Sequence, residues 1–457
     1  MFRWFQIVCL VVGLTVRLQA QEQKEMQLNL DECVQIALGN NSSLVIQKYT
    51  VLIAENNVVS ARRSFLPNTS NITFSKTQSI TGPREGQFFD ANTGLIVSAL
   101  GESTVGGSQR FSVGGIGIPI YNATLFSTLA SNKQNLRSSE HTLSNTRQTV
   151  IFNAKQAYFQ LLTAIKLLES QQEQVKLSEE NLRRSEVLQE IGSTAISEVL
   201  NARANMANAR ATLIQRENDV EQARVNLAFQ LGLGTDVYII PTQLDFSVQS
   251  LSLSFEEAAA TALRESPDML SRKYGLLATR ETLKGLQRSL FHPQVTANGS
   301  YSWNLSNDDT FRGVEDLFLK NYSYSFSISA TIPLYNIQAR DNIKTQKINY
   351  YRAMEQLDQA KRQLAQNVQV TFLNIKRLQR SIDASKASVE AQEKAFELAQ
   401  ERYNFGAGTF LELLTGQRDL FQARSNLIQN IYNYQISLAQ LQQRLGGKPV
   451  IAGQGDE

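Results

Sequence analysis

The stretch YSYSFSISATIPLYN, residues 322–336, alternates without a break as far as Ile332. Tyr322, Tyr324, Phe326, Ile328, Ala330 and Ile332 fall on one face of an extended chain, and Ser323, Ser325, Ser327, Ser329 and Thr331 fall on the other. One face is wholly apolar and the other carries only small hydroxyls. A membrane-spanning strand needs ~9–11 residues, apolar outward and polar inward, and residues 322–332 meet that length. The alternative is one layer of a soluble sandwich, whose outer face is also polar. Soluble surfaces favour charges over an unbroken row of serines. Pro333 then ends the pattern. It has no N–H for a strand ladder, and its fixed φ suits the entry to a helix.

The rest of the chain is punctuated in the same way. No proline falls between Pro119 and Pro241 or between Pro333 and Pro449, and no glycine between Asn122 and Ile191 or between Asn336 and Phe405. Two uninterrupted segments of this length predict very long helices, each on the order of 100 Å at ~1.5 Å per residue. Val150, Ala154, Ala157, Leu161, Ala164 and Leu168 step by four and three, as do Leu364, Val368, Thr371, Ile375, Leu378 and Ile382. This is a coiled-coil seam, with Ala and Thr allowing close approach.

The two segments are copies. GIPIYN at 117–122 matches TIPLYN at 331–336, and the same offset of 214 sets Gly192 on Gly406, Ala209-Arg210 on Ala423-Arg424 and Leu231-Gly232 on Leu445-Gly446. Earlier in each copy the offset is about 225, where LDECVQIAL (30–38) meets FEEAAATAL (255–263). The expected organisation is a signal peptide over 1–20, a first repeat over 21–233, a linker over 234–253, a second repeat over 254–446 and a flexible tail over 447–457. The first repeat holds strands at about 68–79 and 109–120 and helices at about 122–191 and 193–232. The second holds strands at about 295–305 and 322–332 and helices at about 336–405 and 409–445. Gly114-Gly115 interrupts the phase of the 109–120 strand and predicts a bulge. Residues 80–108 and 306–321, rich in Gly, Asp, Asn, Ser and Thr, read as loops.

Four strands cannot close a barrel, since the smallest natural ones have ~8. Edges left open in lipid would expose unpaired backbone groups. If these strands lie in a membrane, several chains share one barrel: two would supply 8 strands and three would supply 12.

Composition narrows the function. Lys and Arg number 45 against 42 Asp and Glu, a formal charge of +3, which argues against a nucleic-acid partner. Arg3 followed by the apolar run Trp4–Val16 and a cleavage-like Leu18-Gln19-Ala20 reads as an export signal. Val8 before Cys9 is not the small residue that a lipid-attachment box needs. With that segment removed Cys33 stands alone and can form no internal disulfide. It aligns with Ala258, as a small packed residue would. His141 and His292 sit in no metal-ligand pattern, there is no nucleotide loop, and nothing points to catalysis or to a cofactor.

With this architecture the sequence resembles the TolC family of outer-membrane efflux channels. The doubled IP(I/L)YN junctions at Pro119 and Pro333, the turns IGSTAISEVLNARANMANAR (191–210) and YNFGAGTFLELLTGQRDLFQAR (403–424), and the doubled N-terminal pattern carry the resemblance. The resemblance implies a homotrimer: twelve strands in outer-membrane lipid and a periplasmic helical barrel narrowing to a gated tip. It implies a passive exit duct of a tripartite efflux or secretion system, opened by a periplasmic adaptor (membrane fusion) protein that links it to an inner-membrane pump. An outer-membrane structural or adhesive protein with a coiled-coil stalk, and a soluble coiled-coil scaffold, are the competing classes.

By the same resemblance, Gly192 and Gly406 mark the adaptor-contacting tip, and Glu198, Tyr403 and Glu412 the gate, where the family's acids also form a cation-binding ring. Glycine at such turns also serves plain helix termination, and Thr409-x-x-Glu412 also reads as a capping box. The sequence departs from the family at Gly408, where the gate arginine is expected, and at Thr415, where a second acid is expected. Arg402 is the candidate substitute partner for Glu198.

Overall fold

The computed structural model describes residues 24–69, 72–83, 85–101, 103–234, 237–244, 246, 251, 253–306, 322–332 and 336–449. In chain order the elements are β1 (Lys24–Leu28), α1 (Leu30–Asn40), α2 (Ser42–Arg63), β2 (Asn68–Thr69), β3 (Ile72–Thr81), β4 (Glu85–Asp90), β5 (Leu95–Leu100) and β6 (Thr104–Tyr121). Then come α3 (Ala123–Glu190), α4 (Ile196–Gln230), β7 (Val237–Pro241), α5 (Phe255–Glu265), α6 (Pro267–Ser289), β8 (Gln294–Ser306), β9 (Tyr322–Thr331), α7 (Ile337–Asn404) and α8 (Phe410–Arg444). The duplication is visible in the lengths: α3 and α7 have 68 residues each, and α4 and α8 have 35 each. None of the described helices is long and apolar enough to cross a membrane. The signal-peptide expectation over 1–20 and Pro333 lie outside the described residues.

The chain divides into two compact units. One gathers Thr50–Ser139 and Ser271–Asp358. Its antiparallel sheet runs β3-β6-β8-β9, with the short β2 also on β6. Register places every strand's alternation in common rows. Phe74, Phe111, Trp303 and Tyr322 form one row, and Thr73, Ser112, Ser302 and Ser323 form the next. The serine face is a hydrogen-bonded ladder: Thr296 to Ser329 at 2.9 Å, Ser300 to Ser325 at 2.8 Å, Ser302 to Ser323 at 2.7 Å. The opposite face carries Tyr301 stacked on Tyr322 and Tyr322 on Tyr324, and exposes Phe74, Phe326 and Ile328. The register slips between Val113 and Ile116, where Gly114-Gly115 predicted a bulge. Among the described residues β3 and β9 each have one partner strand, so both edges of the sheet are open.

One sequence expectation changes here. Residues 80–108 are no simple loop: β4 and β5 pair within them. Their turn is closed by Asp90, whose side chain accepts from the Asn92 amide and the Thr93 hydroxyl at 2.9 Å each, with Gly94 at φ 67°. β6 runs from Thr104 through Pro119 to Tyr121, with a second register irregularity between those last two residues. Against the sheet's helical side, α3 and α6 approach closely through small residues. Ser131 Oγ donates to the Ala278 carbonyl at 3.1 Å and Ser138 Oγ to that of Ser271 at 2.9 Å.

The other unit gathers Met1–Tyr49, Glu140–Leu270 and Gln359–Glu457. Its two cores repeat one design. Cys33, Ala37, Val150, Ala154, Ala157 and Leu161 are buried in the first. Ala258, Ala262, Val368, Ile375, Leu378 and Ile382 are buried in the second. Val150, Ala154, Ala157 and Leu161 in the first and Val368, Ile375, Leu378 and Ile382 in the second are seam residues read from the sequence, while Ala164, Leu168 and Leu364 of the same seams are only partly buried. Each core is entered through a capping box, Asn29 with Glu32 and Ser254 with Glu257. Burial pushes the Cys33 thiol up to about 12, with the nearby Glu32 charge acting in the same direction, which fits a packing role. β1 and β7 form a parallel pair, so part of the expected linker is a strand.

The α3–α6 contact yields a prediction. A Cβ at Gly285 would lie 2.4 Å from that of Ser127. Gly285→Ala is expected to lose about 1–3 kcal/mol by overpacking, read as a lower thermal midpoint, whereas Gly39→Ala, with nothing within 4 Å, is expected to leave the midpoint in place.

Candidate functional site

The two helical turns are built alike. At the first, the Ser193 amide donates to Leu188 O at 2.8 Å and the Gly192 amide to Gln189 O at 3.0 Å, with Gly192 at φ 74°. At the second, Ala407 donates to Arg402 O at 2.8 Å and Gly406 to Tyr403 O at 3.1 Å, with Gly406 at φ 72°. Both are left-handed helix ends, where glycine escapes the Cβ penalty. A Cβ at either glycine would meet nothing within 4 Å. Their outer surfaces are therefore open, and Phe405 beside the second turn is 86% exposed.

Just inside the turns, Glu198 and Tyr403 come together although they are 205 residues apart: the Tyr403 hydroxyl donates to Glu198 Oε1. The other carboxylate oxygen accepts from Thr194 Oγ1 at 2.5 Å. Burial pushes the Tyr403 hydroxyl up to about 12, and the bond to Glu198 and its charge add to this; Ser185 and Arg184 pull the other way. Phe410, Leu413 and Ala202 pack beside the pair as a small apolar core.

Arg402 does not take the role expected of it. Its guanidinium donates to the Ala407 carbonyl at 3.2 Å and stands 3.8 Å from Glu412, not on Glu198. Glu412 also closes the capping box with Thr409, whose hydroxyl accepts from the Glu412 amide at 3.2 Å. At Gly408 a Cβ would sit 3.1 Å from Arg402 Cβ and from the Tyr403 amide. A side chain at the position that departs from the resembled pattern would thus need its neighbours to give by a few tenths of an ångström, and Glu198 is held by neutral hydroxyls instead of a guanidinium.

Sequence reasoning missed a buried polar chain further along the same helices. Asn181 Nδ2 donates to Gln417 Oε1 at 3.0 Å, Gln417 Nε2 donates to Ser178 Oγ at 3.1 Å, and Ser185 Oγ donates back to Asn181 O at 2.9 Å. All four side chains are buried. Polar residues scattered among many exposed Gln, Asn and Ser carried no signal of this. Exposed ion pairs flank the chain in duplicate: Arg210 with Glu179 at 2.7 Å and Arg424 with Glu393 at 2.8 Å. Among the described residues no cluster of His, Cys, Asp and Glu could hold a metal ion.

Tyr403→Phe removes the hydroxyl that, among the described residues, links Glu198 to the second turn's helix. It is expected to lower local tip stability by about 1–2 kcal/mol, seen as faster amide exchange at 191–200 and 403–412 with the rest of the helices unchanged. In the wild-type chain a raised tyrosine pKa means that the contribution is complete below pH 10 and is lost as pH rises from 10 towards about 12. The protection factors of the tip amides, with exchange corrected for its base-catalysed rise with pH, are therefore expected to be insensitive to Tyr403 at neutral pH and to fall only in that alkaline window.

Comparison with known proteins bears on both units. A family model described as Outer membrane efflux protein matches residues 33–233 and again 258–447. The outer membrane protein TolC of Salmonella enteritidis is 26% identical over 315 residues, covering 66% of this chain and 61% of that protein. The chain thus aligns with under two thirds of that relative's length. Among solved structures, a membrane protein from Pseudomonas aeruginosa superposes with a TM-score of 0.76 at 19% identity, over 93% of this chain and 95% of its own. The Campylobacter jejuni CmeC outer membrane channel gives 0.75 at 18% identity, over 94% and 87%. The fold is that of these solved membrane proteins, a curled sheet together with long helices, in a chain made by tandem duplication. Matched twice and in order on that fold, this chain belongs to the outer membrane efflux protein family.

Proposed function

We propose that three copies of the chain form a passive exit duct across the outer membrane, the outermost part of a tripartite efflux system. The sheet is the observation that carries this reading. Across β8 and β9 it has one apolar and one hydroxyl face, joined on β3 and β6 by Lys76 and Gln78 on the apolar side and Arg110 on the hydroxyl side; among the described residues both its edges are open, and in lipid each unpaired edge group costs several kcal/mol. Joining the β3 edge of one copy to the β9 edge of the next removes every edge. Three copies give twelve strands with tyrosine and phenylalanine towards lipid and the serine ladder towards water.

The turns at Gly192 and Gly406 are the surfaces we assign to a periplasmic adaptor protein, through which an inner-membrane pump supplies the energy. The duct itself does no chemistry. Glu198 with Tyr403 holds the tip closed, and opening separates them. Glu412, half exposed, faces the constriction, where three carboxylates around an axis favour cations over anions. Pro119, two residues before the end of β6, lies close to the passage from strand to helix in the first half.

Native mass measurement of the detergent-extracted protein is expected to give a trimer. In planar bilayers the wild type is expected to conduct poorly. Glu198→Ala with Tyr403→Phe is expected to raise conductance several-fold, and Glu412→Gln to move cation selectivity towards parity. A trimer that never conducts in the opened variant would point instead to an anchored stalk without a pore, and a monomer would rule out the shared barrel. Cysteines at Gly192 and Gly406 are expected to cross-link to the adaptor.

A further inference from the structure

The paired strands β4 and β5 expose more apolar surface than a lone hairpin tolerates. Phe89 is 70% exposed, Ile96 67% and Leu100 68%, and Leu95 and Val97 are open on the other side. Among the described residues this is a two-stranded sheet by itself, and isolated hairpins are marginal in water unless a further strand or a packing surface covers them.

Its position follows from register. β3 pairs with β6 from Ile72↔Val113 to Thr81↔Thr104, and β4 pairs with β5 from Glu85↔Leu100 to Asp90↔Leu95. Partner numbers add to 185 in both pairings, so the two ribbons keep one register. Continuing it preserves parity. Thr73, Ser75, Thr77, Ser79 and Thr81 lie on the hydroxyl side of β3, and the same parity sets Glu85, Gln87 and Phe89 on that side, with Leu100 and Ile96 as the partners of Glu85 and Phe89. The second repeat has less chain available for a matching extension. The chain between Trp303 and Tyr322 is about half as long as that between Phe74 and Phe111, which occupy the same row.

We propose that the β4–β5 hairpins of the assembled copies pack against one another, Phe89, Ile96 and Leu100 inward, as an apolar cap at the outer mouth of the shared barrel. This rests on the reading of the hydroxyl face as the lumen side. The occupant is another copy of this chain, because the lumen side of a barrel shared between subunits faces the common axis, and the hairpins that meet there are the copies' own. An apolar ring at that point narrows the mouth and sheds water, a form of closure distinct from the ionic and hydroxyl contacts of the tip.

The test uses full-length protein carrying Ile96→Cys, isolated in detergent and treated with a short bismaleimide; Cys33 is buried and stays silent. The expected result is that most chains join in pairs, and that adding Phe89→Asp cuts the yield several-fold while the oligomer's native mass is unchanged. Leu100→Cys serves as a second probe if Ile96→Cys folds poorly. An intact oligomer in which both cysteines leave the chains single, or join them to a different polypeptide, overturns the cap and leaves the duct standing. A monomer by native mass overturns both.

Discussion

A peptide group in hydrocarbon has no water to bond, so a sheet can sit in a membrane only if it has no edge. In this chain that constraint governs everything else. Four strands are too few to curl into a barrel by themselves, and the described β3 and β9 are each paired on one side only. Assembly is therefore a condition of the membrane structure, not an addition to a finished fold. The serine ladder fits the same logic. Its hydroxyls satisfy one another across the strands at 2.7–2.9 Å, which keeps a face of small polar groups ordered without charges that would need partners.

Duplication supplies the second economy. One plan, made twice, places a capping box, a seam of Ala, Val, Leu and Ile, a left-handed glycine turn and an Arg–Glu pair at matching positions. Cys33 shows how strict the match is: its counterpart is Ala258, both are fully buried, and a thiol held protonated by burial behaves as a slightly larger alanine.

What the sequence made legible was whatever repeats locally. The alternation of 322–332 is a period of two, the seam a period of 3.5, and the long helices follow from stretches without glycine or proline. The β4–β5 hairpin was hidden because Gly, Asn, Asp and Thr in 80–108 carry the composition of a loop. β1 and β7 were hidden because each is short and its partner lies some two hundred residues away. At the tip, Glu198, Tyr403 and Glu412 could be named from a resemblance, and Thr409 as the capping partner of Glu412 from its spacing, but not the partners of Glu198. Whether Arg402 reaches Glu198 or Glu412 depends on the phase of the helix end, which no pattern of residue types encodes. Thr194 escaped for the same reason, as did the Asn181–Gln417 contact.

That last contact breaks the symmetry of the duplicated chain. Ser178, Asn181 and Ser185 have Gln392, Ala395 and Ala399 as their counterparts in the second half, so the chain of directional bonds to Gln417 exists once per subunit and not twice. An alanine surface lets one helix slip along another with little change in energy, whereas a bond of 3.0 Å between two amides fixes depth and rotation together. The two halves of the chain are therefore unequal in their polar packing: α3 and α8 share buried amide bonds close to the turns, whereas α7 meets α8 through polar bonds farther from them, Asn430 to Ser385 at 2.9 Å and Asn374 to Ser437 at 3.0 Å.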